Sequence, residues 1–94
     1  MSRTFWTRVA QADLDQIIDT YLDLGTDHGL RVAELALAAG RFLGENPHAG
    51  EQVDTMVRKW RVGGTDFILL YRIALGRVEV LRVHQARQDW RRTP

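Results

Sequence analysis

The chain has no cysteine and only two prolines. No apolar run in it approaches the roughly 20 residues that a membrane-spanning helix needs. Without cysteine there is neither a disulfide framework nor a thiolate metal site. The opening MSRTFWTRV lacks the apolar stretch of a secretory signal. The phosphate-loop pattern GxxxxGK(S/T), the dinucleotide pattern GxGxxG, the nucleophile elbow GxSxG and a Cys/His metal pair are all missing. The simplest expectation is a cytoplasmic, intracellular protein that uses no metal, no cofactor and no membrane. Its 94 residues suffice for one domain with a single core, and no repeat, low-complexity tract or linker divides residues 1–94.

Charge is nearly balanced, at +1, but it is distributed unevenly. Up to Val57, four basic residues face nine acidic ones, for a net of −5. From Arg58 onward, nine basic residues face Asp66, Glu79 and Asp89, for a net of +6. A basic second half suggests an acidic partner, either a polypeptide or a nucleic acid. The alternative is that the two halves neutralise each other within the fold.

The second half is what the rest must cover. Residues 56–62 read as a strand, Gly63-Gly64 as a turn, and 66–73 as a second strand. In that second strand Phe67, Leu69, Tyr71 and Ile73 alternate with Ile68, Leu70 and Arg72. Two largely apolar faces predict a central strand covered on both sides. Leu75-Gly76 makes the next turn and 78–83 the third strand, with Leu81 and Val83 on one face and Val80, Arg82 and His84 on the other. Such a meander cannot bury its own apolar face.

The first half supplies the cover. Residues 4–6 are β-prone, and Thr7 is placed to cap a helix over residues 8–24, in which Ala10, Leu14, Ile17, Tyr21 and Leu24 recur at spacings of three and four. Asp15, Asp19 and Asp23 line the opposite side, either as a solvated face or as a surface for a basic partner. Gly25 ends the helix, and Asp27 is a candidate cap for the next, over residues 30–43. That second helix is apolar over more than half its circumference, with Arg31, Glu34 and Arg41 as its polar edge. Packing on one sheet needs a narrower stripe. The excess either meets the first helix in a hairpin or docks another chain, through Val32, Leu35, Ala39 and Phe42. Pro47 and Gly50 break the chain before the meander. The expected fold is α+β, in the order β-α-α-β-β-β, with a helical hairpin on a mainly antiparallel sheet and Leu14, Ile17, Leu37, Leu69, Tyr71 and Leu81 in the core. After His84 comes a basic tail with one aromatic residue, Trp90, and room for a short helical turn.

Reactive groups are sparse. His28, His48 and His84 fall in a helix-start loop, the breaker loop and a strand end, and read first as surface or loop residues. His84 stands out because Arg82 and Arg87 lie near it in sequence. A metal-free nuclease needs a general base, a general acid and cationic stabilisation. Glu79 falls on the other strand face from His84, and Tyr71 is in phase with the buried side.

Over nearly its full length the chain resembles the RelE/ParE superfamily of type II toxin–antitoxin toxins. The opening helix carries an AxxDLxxIxxxY pattern as Ala10, Asp13, Leu14, Ile17 and Tyr21, and the breaker loop a PxxG step as Pro47 and Gly50. Arg58, FILLYRI at 67–73 and VEVLRVHQARQDW at 78–90 complete it, and look more like the ParE branch than the RelE branch. RelE-type members cleave mRNA on the ribosome, and many carry an arginine three residues before the tyrosine of the second meander strand. That place is held here by Ile68. They also commonly carry a tyrosine beyond the last strand, where this tail offers Trp90. ParE-type members instead poison DNA gyrase by protein–protein contact, and an antitoxin tail neutralises them.

The resemblance therefore implies a ParE-like toxin with no catalytic residues that contacts DNA gyrase, and Arg82, His84, Arg87 and Trp90 are the candidates for the charged and aromatic surface such a contact needs. A cognate ParD-like antitoxin would hold it in a hetero-oligomer. The runner-up is a ribosome-dependent mRNA interferase with Arg58, Lys59, Arg61, Arg82, His84 and Arg87 as its cationic and proton-transfer groups. A third reading is an inactive homologue that only binds its antitoxin.

Overall fold

In the computed structural model, which describes residues 3–87, the chain runs β1 (Thr4–Trp6), α1 (Arg8–Asp23), α2 (His28–Glu45), β2 (Glu51–Gln52), β3 (Arg58–Arg61), β4 (Phe67–Ala74) and β5 (Arg77–Gln85). The strands form one sheet in the order β1, β5, β4, β3, β2. All neighbours are antiparallel except β1 and β5, which run parallel. The helices pack on each other and over β5 and β1. This is the expected α+β architecture, with β4 central and its first five residues buried.

Thr7 joins helix and sheet. Its hydroxyl accepts the Ala10 N–H at 3.1 Å, the expected N-cap bond, and donates to the Leu81 carbonyl at 3.2 Å. Its own N–H continues the β1–β5 ladder onto the Val80 carbonyl. At the second helix the capping differs from expectation. Asp27 occupies the cap position without a side-chain bond, and the Thr26 hydroxyl accepts the His28 N–H instead. The helix consequently starts at His28, two residues earlier than the apolar pattern suggests.

Three sequence expectations are corrected in the sheet. Met56 and Val57 are not strand residues, because the Asp54 carboxylate accepts both of their N–H groups and folds 53–57 into a turn. That turn pairs an additional two-residue strand, β2, with Lys59 and Arg58. The third correction is the phase of β5. Leu70 pairs with Arg82 but Tyr71 pairs with Val80, so Leu81 is the extra residue of a β-bulge. The bulge flips the alternation, bringing Val78, Val80 and Val83 together into the helix-side core and leaving Leu81 half-buried.

The core consists of Ala10, Leu14, Val32, Ala33, Ala36, Leu43, Val62, Phe67, Leu69, Tyr71, Val78, Val80 and Val83, with Ile17 packed at its margin. Leu37, expected inside, is 41% exposed, because α2 turns Val32, Ala36, Gly40 and Leu43 inward. Trp90 and the suggested terminal helical turn lie outside the described residues.

Tyr71 ties the breaker loop to the central strand. Its buried hydroxyl donates to the Pro47 carbonyl and accepts the Gly50 N–H, each at 2.8 Å. Gly50 is required here, since a Cβ would lie 2.5 Å from that hydroxyl and 2.6 Å from the Lys59 carbonyl oxygen. Burial raises the Tyr71 pKa above its usual 10.0, against the smaller lowering effects of the Gly50 N–H and Arg58. A raised folded-state value means that this group's stabilising contribution is complete below the unfolded pKa and is lost as pH climbs through the folded one. Tyr71→Phe is expected to cost about 1–3 kcal/mol in urea unfolding at neutral pH, the cost of unsatisfied buried partners. The variant should also lose less stability than the wild type above about pH 10. An unchanged urea midpoint would contradict this role for the hydroxyl.

Candidate functional site

Strand register arranges the basic residues in rows. Lys59, Leu70 and Arg82 align across β3, β4 and β5, and Arg61, Ile68 and His84 form the next row. The rows alternating with these, Arg58 with Tyr71 and Val80, and Trp60 with Leu69 and Val83, contribute all but Arg58 to the helix-side core. Ile68 and Leu70 are therefore on the face turned away from the helices. Both are buried there, at 7% and 8% exposure, outside the helix-side cluster.

The cations around these two apolar residues are engaged. The Asp13 carboxylate takes a two-pronged contact from the Arg82 guanidinium, at 2.9 and 3.2 Å, and accepts the Val83 N–H at 2.8 Å. Hydrogen bonding to Asp13 raises the Arg82 pKa, keeping an already permanent charge in place. Lys59 pairs with Glu51 at 3.5 Å and Arg61 with the Asp66 carboxylate at 3.2 Å. The Arg61 pair is well exposed and contributes little to stability. Arg58 points its guanidinium at the Gly50 and His48 carbonyls, bracing the same loop that Tyr71 holds. His84, expected at the surface, is buried at 6% exposure. Arg87 is exposed, and Trp90 is outside the described residues.

The structure thus brings Lys59, Arg61, Arg82 and His84 into adjacent rows and keeps Arg58 on the other side of the sheet. A groove of about 530 Å³ opens beside the Asp13–Arg82 pair, between the second half of α1 and the ends of β4 and β5. Tyr21, Leu24, Phe67 and His84 are among its walls. Among the described residues no group of three or more histidines or carboxylates is placed to hold a metal ion. No helix among them is long and apolar enough to cross a membrane.

The second candidate surface lies on α2. Val32, expected there as a docking residue, is fully buried and belongs to the core, so it is removed from that set. Leu35 and Ala39 are half-buried against the core margin. Phe42 is 44% exposed and stacks on Trp60 of β3, with ring centroids 5.3 Å apart and planes 23° from parallel. Trp60 was not anticipated in this surface; its alternation with Lys59 and Arg61 places it on the helix side, and only the register shows that Phe42 meets it.

Comparison with protein families matches residues 4–90 to the model described as the ParE toxin of the type II toxin–antitoxin system, parDE. The chain belongs to the ParE toxin family. Among solved structures it is similar to a chain of a chromosomal ParDE TA system from P. aeruginosa, at 28% identity and a TM-score of 0.77. That alignment covers 90% of this chain and 96% of the other. Comparison with the curated proteins gives no match.

In this ParE toxin Asp13 is the residue on which the edge of β5 relies. Asp13→Ala leaves the half-buried Arg82 and the Val83 N–H without their acceptor, and is expected to cost about 1–3 kcal/mol. Asp13→Asn retains one acceptor oxygen and should cost less. Urea unfolding gives the two values, and amide exchange at Val83 should quicken more in the alanine variant. Equal stabilities for the wild type and both variants would contradict the assignment.

Proposed function

We propose that this ParE-family toxin inhibits DNA gyrase by protein–protein contact and is held inactive by a cognate ParD-like antitoxin in a cytoplasmic hetero-oligomer. The observation that carries the reading is the centre of the helix-free face. There Ile68 and Leu70 are the buried middle residues of two rows whose cations are engaged by Asp13, Glu51 and Asp66. Electrostatic stabilisation of a phosphodiester transition state works through preorganised cationic groups directed at the developing charge, and removing one such donor costs about 10²–10³ in rate. Here the aligned cations are directed at neighbouring carboxylates. That arrangement favours a contact surface over a cleaving one, with exposed Arg87 as the most available of the proposed target contacts among the described residues. Arg82 and His84 then act by shaping the surface.

Two assays run side by side test the reading. Purified toxin is expected to inhibit supercoiling by gyrase while leaving mRNA on translating ribosomes intact. Cleaved mRNA with unaffected gyrase would replace it with the interferase reading, and inactivity in both assays would favour an antitoxin-binding homologue.

For the antitoxin we propose the α2 surface carried by Leu35, Ala39 and Phe42, anchored by the Phe42–Trp60 stack. Exposed aromatic surface of this kind commonly marks a binding site. Phe42→Glu is expected to weaken the antitoxin complex by tenfold or more, on the order of 1.4 kcal/mol, and to lower folding stability by less than it weakens the complex. Unchanged affinity would move the antitoxin to another face.

A further inference from the structure

The turn between β4 and β5 is built from an unfavourable residue. Leu75 has φ +54°, the left-handed region that glycine, asparagine and aspartate enter readily and that a bulky side chain rarely does. It is also 93% exposed, the most exposed of the large apolar residues among those described. Strain and exposure both count against leucine here, and Gly76 beside it, at φ +74°, shows what the turn itself asks for. Outlying backbone conformations of this kind recur at contact sites.

The surroundings of the turn are basic. The Arg77 guanidinium lies 4.9 Å from the centroid of the Phe5 ring, itself 45% exposed, and so forms a cationic shelf on an aromatic base. Arg3 stands next to it, its carbonyl accepting the Val78 N–H. Neither Arg3 nor Arg77 forms an ion pair among the described residues.

We propose that this hairpin tip is a contact of the toxin with its target, Leu75 entering an apolar pocket whose rim is acidic and meets Arg77 and Arg3. The inference rests on the toxin reading above and adds to it a contact apart from the tail and from the α2 surface. The partner is a protein rather than a nucleic acid, because a projecting leucine gains from an apolar pocket and a phosphate backbone offers none. A second copy of the chain is disfavoured, since a two-fold contact would bring two basic tips together.

Leu75→Asn suits the left-handed turn and removes the apolar anchor, so its melting temperature should equal or exceed that of the wild type. It is expected to raise the toxin concentration for half-inhibition of purified gyrase by about tenfold or more, as loss of an interface anchor does, and to relieve growth arrest when expressed in bacteria. Arg77→Glu should act in the same direction, and Leu75→Met should retain wild-type potency. Asparagine at wild-type potency, or a melting temperature falling together with potency, overturns the proposal. If the wild type arrests growth without affecting gyrase, the gyrase reading fails separately. Leu75→Asn then upholds the tip by relieving arrest or overturns it by failing to. A wild type without either effect overturns both.

Discussion

The edge of β5 is the constraint around which this fold is arranged. β1 pairs with β5 over three residues only, Thr4 to Trp6 against Val78 to Val80, and the chain then turns away as α1. Beyond Val80 the strand would face the helix with unpaired backbone groups, a costly arrangement where water is excluded. Three groups from the start of α1 solve this in sequence. The Thr7 N–H takes the Val80 carbonyl, the Thr7 hydroxyl takes the Leu81 carbonyl, and the Asp13 carboxylate takes the Val83 N–H. One helical turn and a half thus substitutes for the missing part of β1. The contacts that close the edge also fix the height and rotation of α1 over the sheet.

The bulge at Leu81 follows from the same contact and explains where sequence reading succeeded and failed. The helices, the antiparallel meander and the central position of β4 were legible because each depends on local periodicity or on a turn residue close by, whereas the parallel place of β1 beside β5 was not. The phase of β5 was not, because VEVLRVH contains two alternating segments joined out of step. Strict alternation puts Leu81 with Val83, whereas the structure puts Val80 with Val83. The signal for the slip lies in Thr7 and Asp13, about 70 residues away along the chain. The polar pair Glu51-Gln52 was unreadable as a strand for a similar reason, since the Asp54 turn and the β3 register define it.

Counting charges gave an asymmetry between the halves without saying what it does. Two ion pairs cross between them, Asp13 with Arg82 and Glu51 with Lys59, so part of the imbalance is neutralised within the fold. Two more, Arg61 with Asp66 and Arg72 with Glu79, are internal to the basic half. The surplus that a partner can meet is therefore smaller than the sequence suggests and differently placed. His84 and Arg82 were singled out for proximity in sequence, but one is buried and the other is occupied by Asp13. Arg77, given no role from the sequence, sits over Phe5 beside the exposed turn.

The breadth of the apolar surface on α2 has a divided explanation. Val32, Ala36, Gly40 and Leu43 face the sheet, and Ala33 joins the core beside them. Leu35 and Ala39 cover the core margin, and Phe42 covers Trp60. What remains is Leu30 and Leu37, at 47% and 41% exposure, together with the outer sides of Leu35, Ala39 and Phe42. An apolar arc on a helix wheel therefore overstates the free surface, because the helix serves the sheet, its partner helix and β3 at once. The same reasoning weighs more heavily for Ile68. Its place in the sequence suggested only the absence of an arginine. In the fold it is a buried residue between Arg61 and His84, so the substitution changes what the centre of that face can be. An arginine there would sit in a row with one cation and a histidine. An isoleucine gives the row a buried apolar middle, which offers a phosphate no donor.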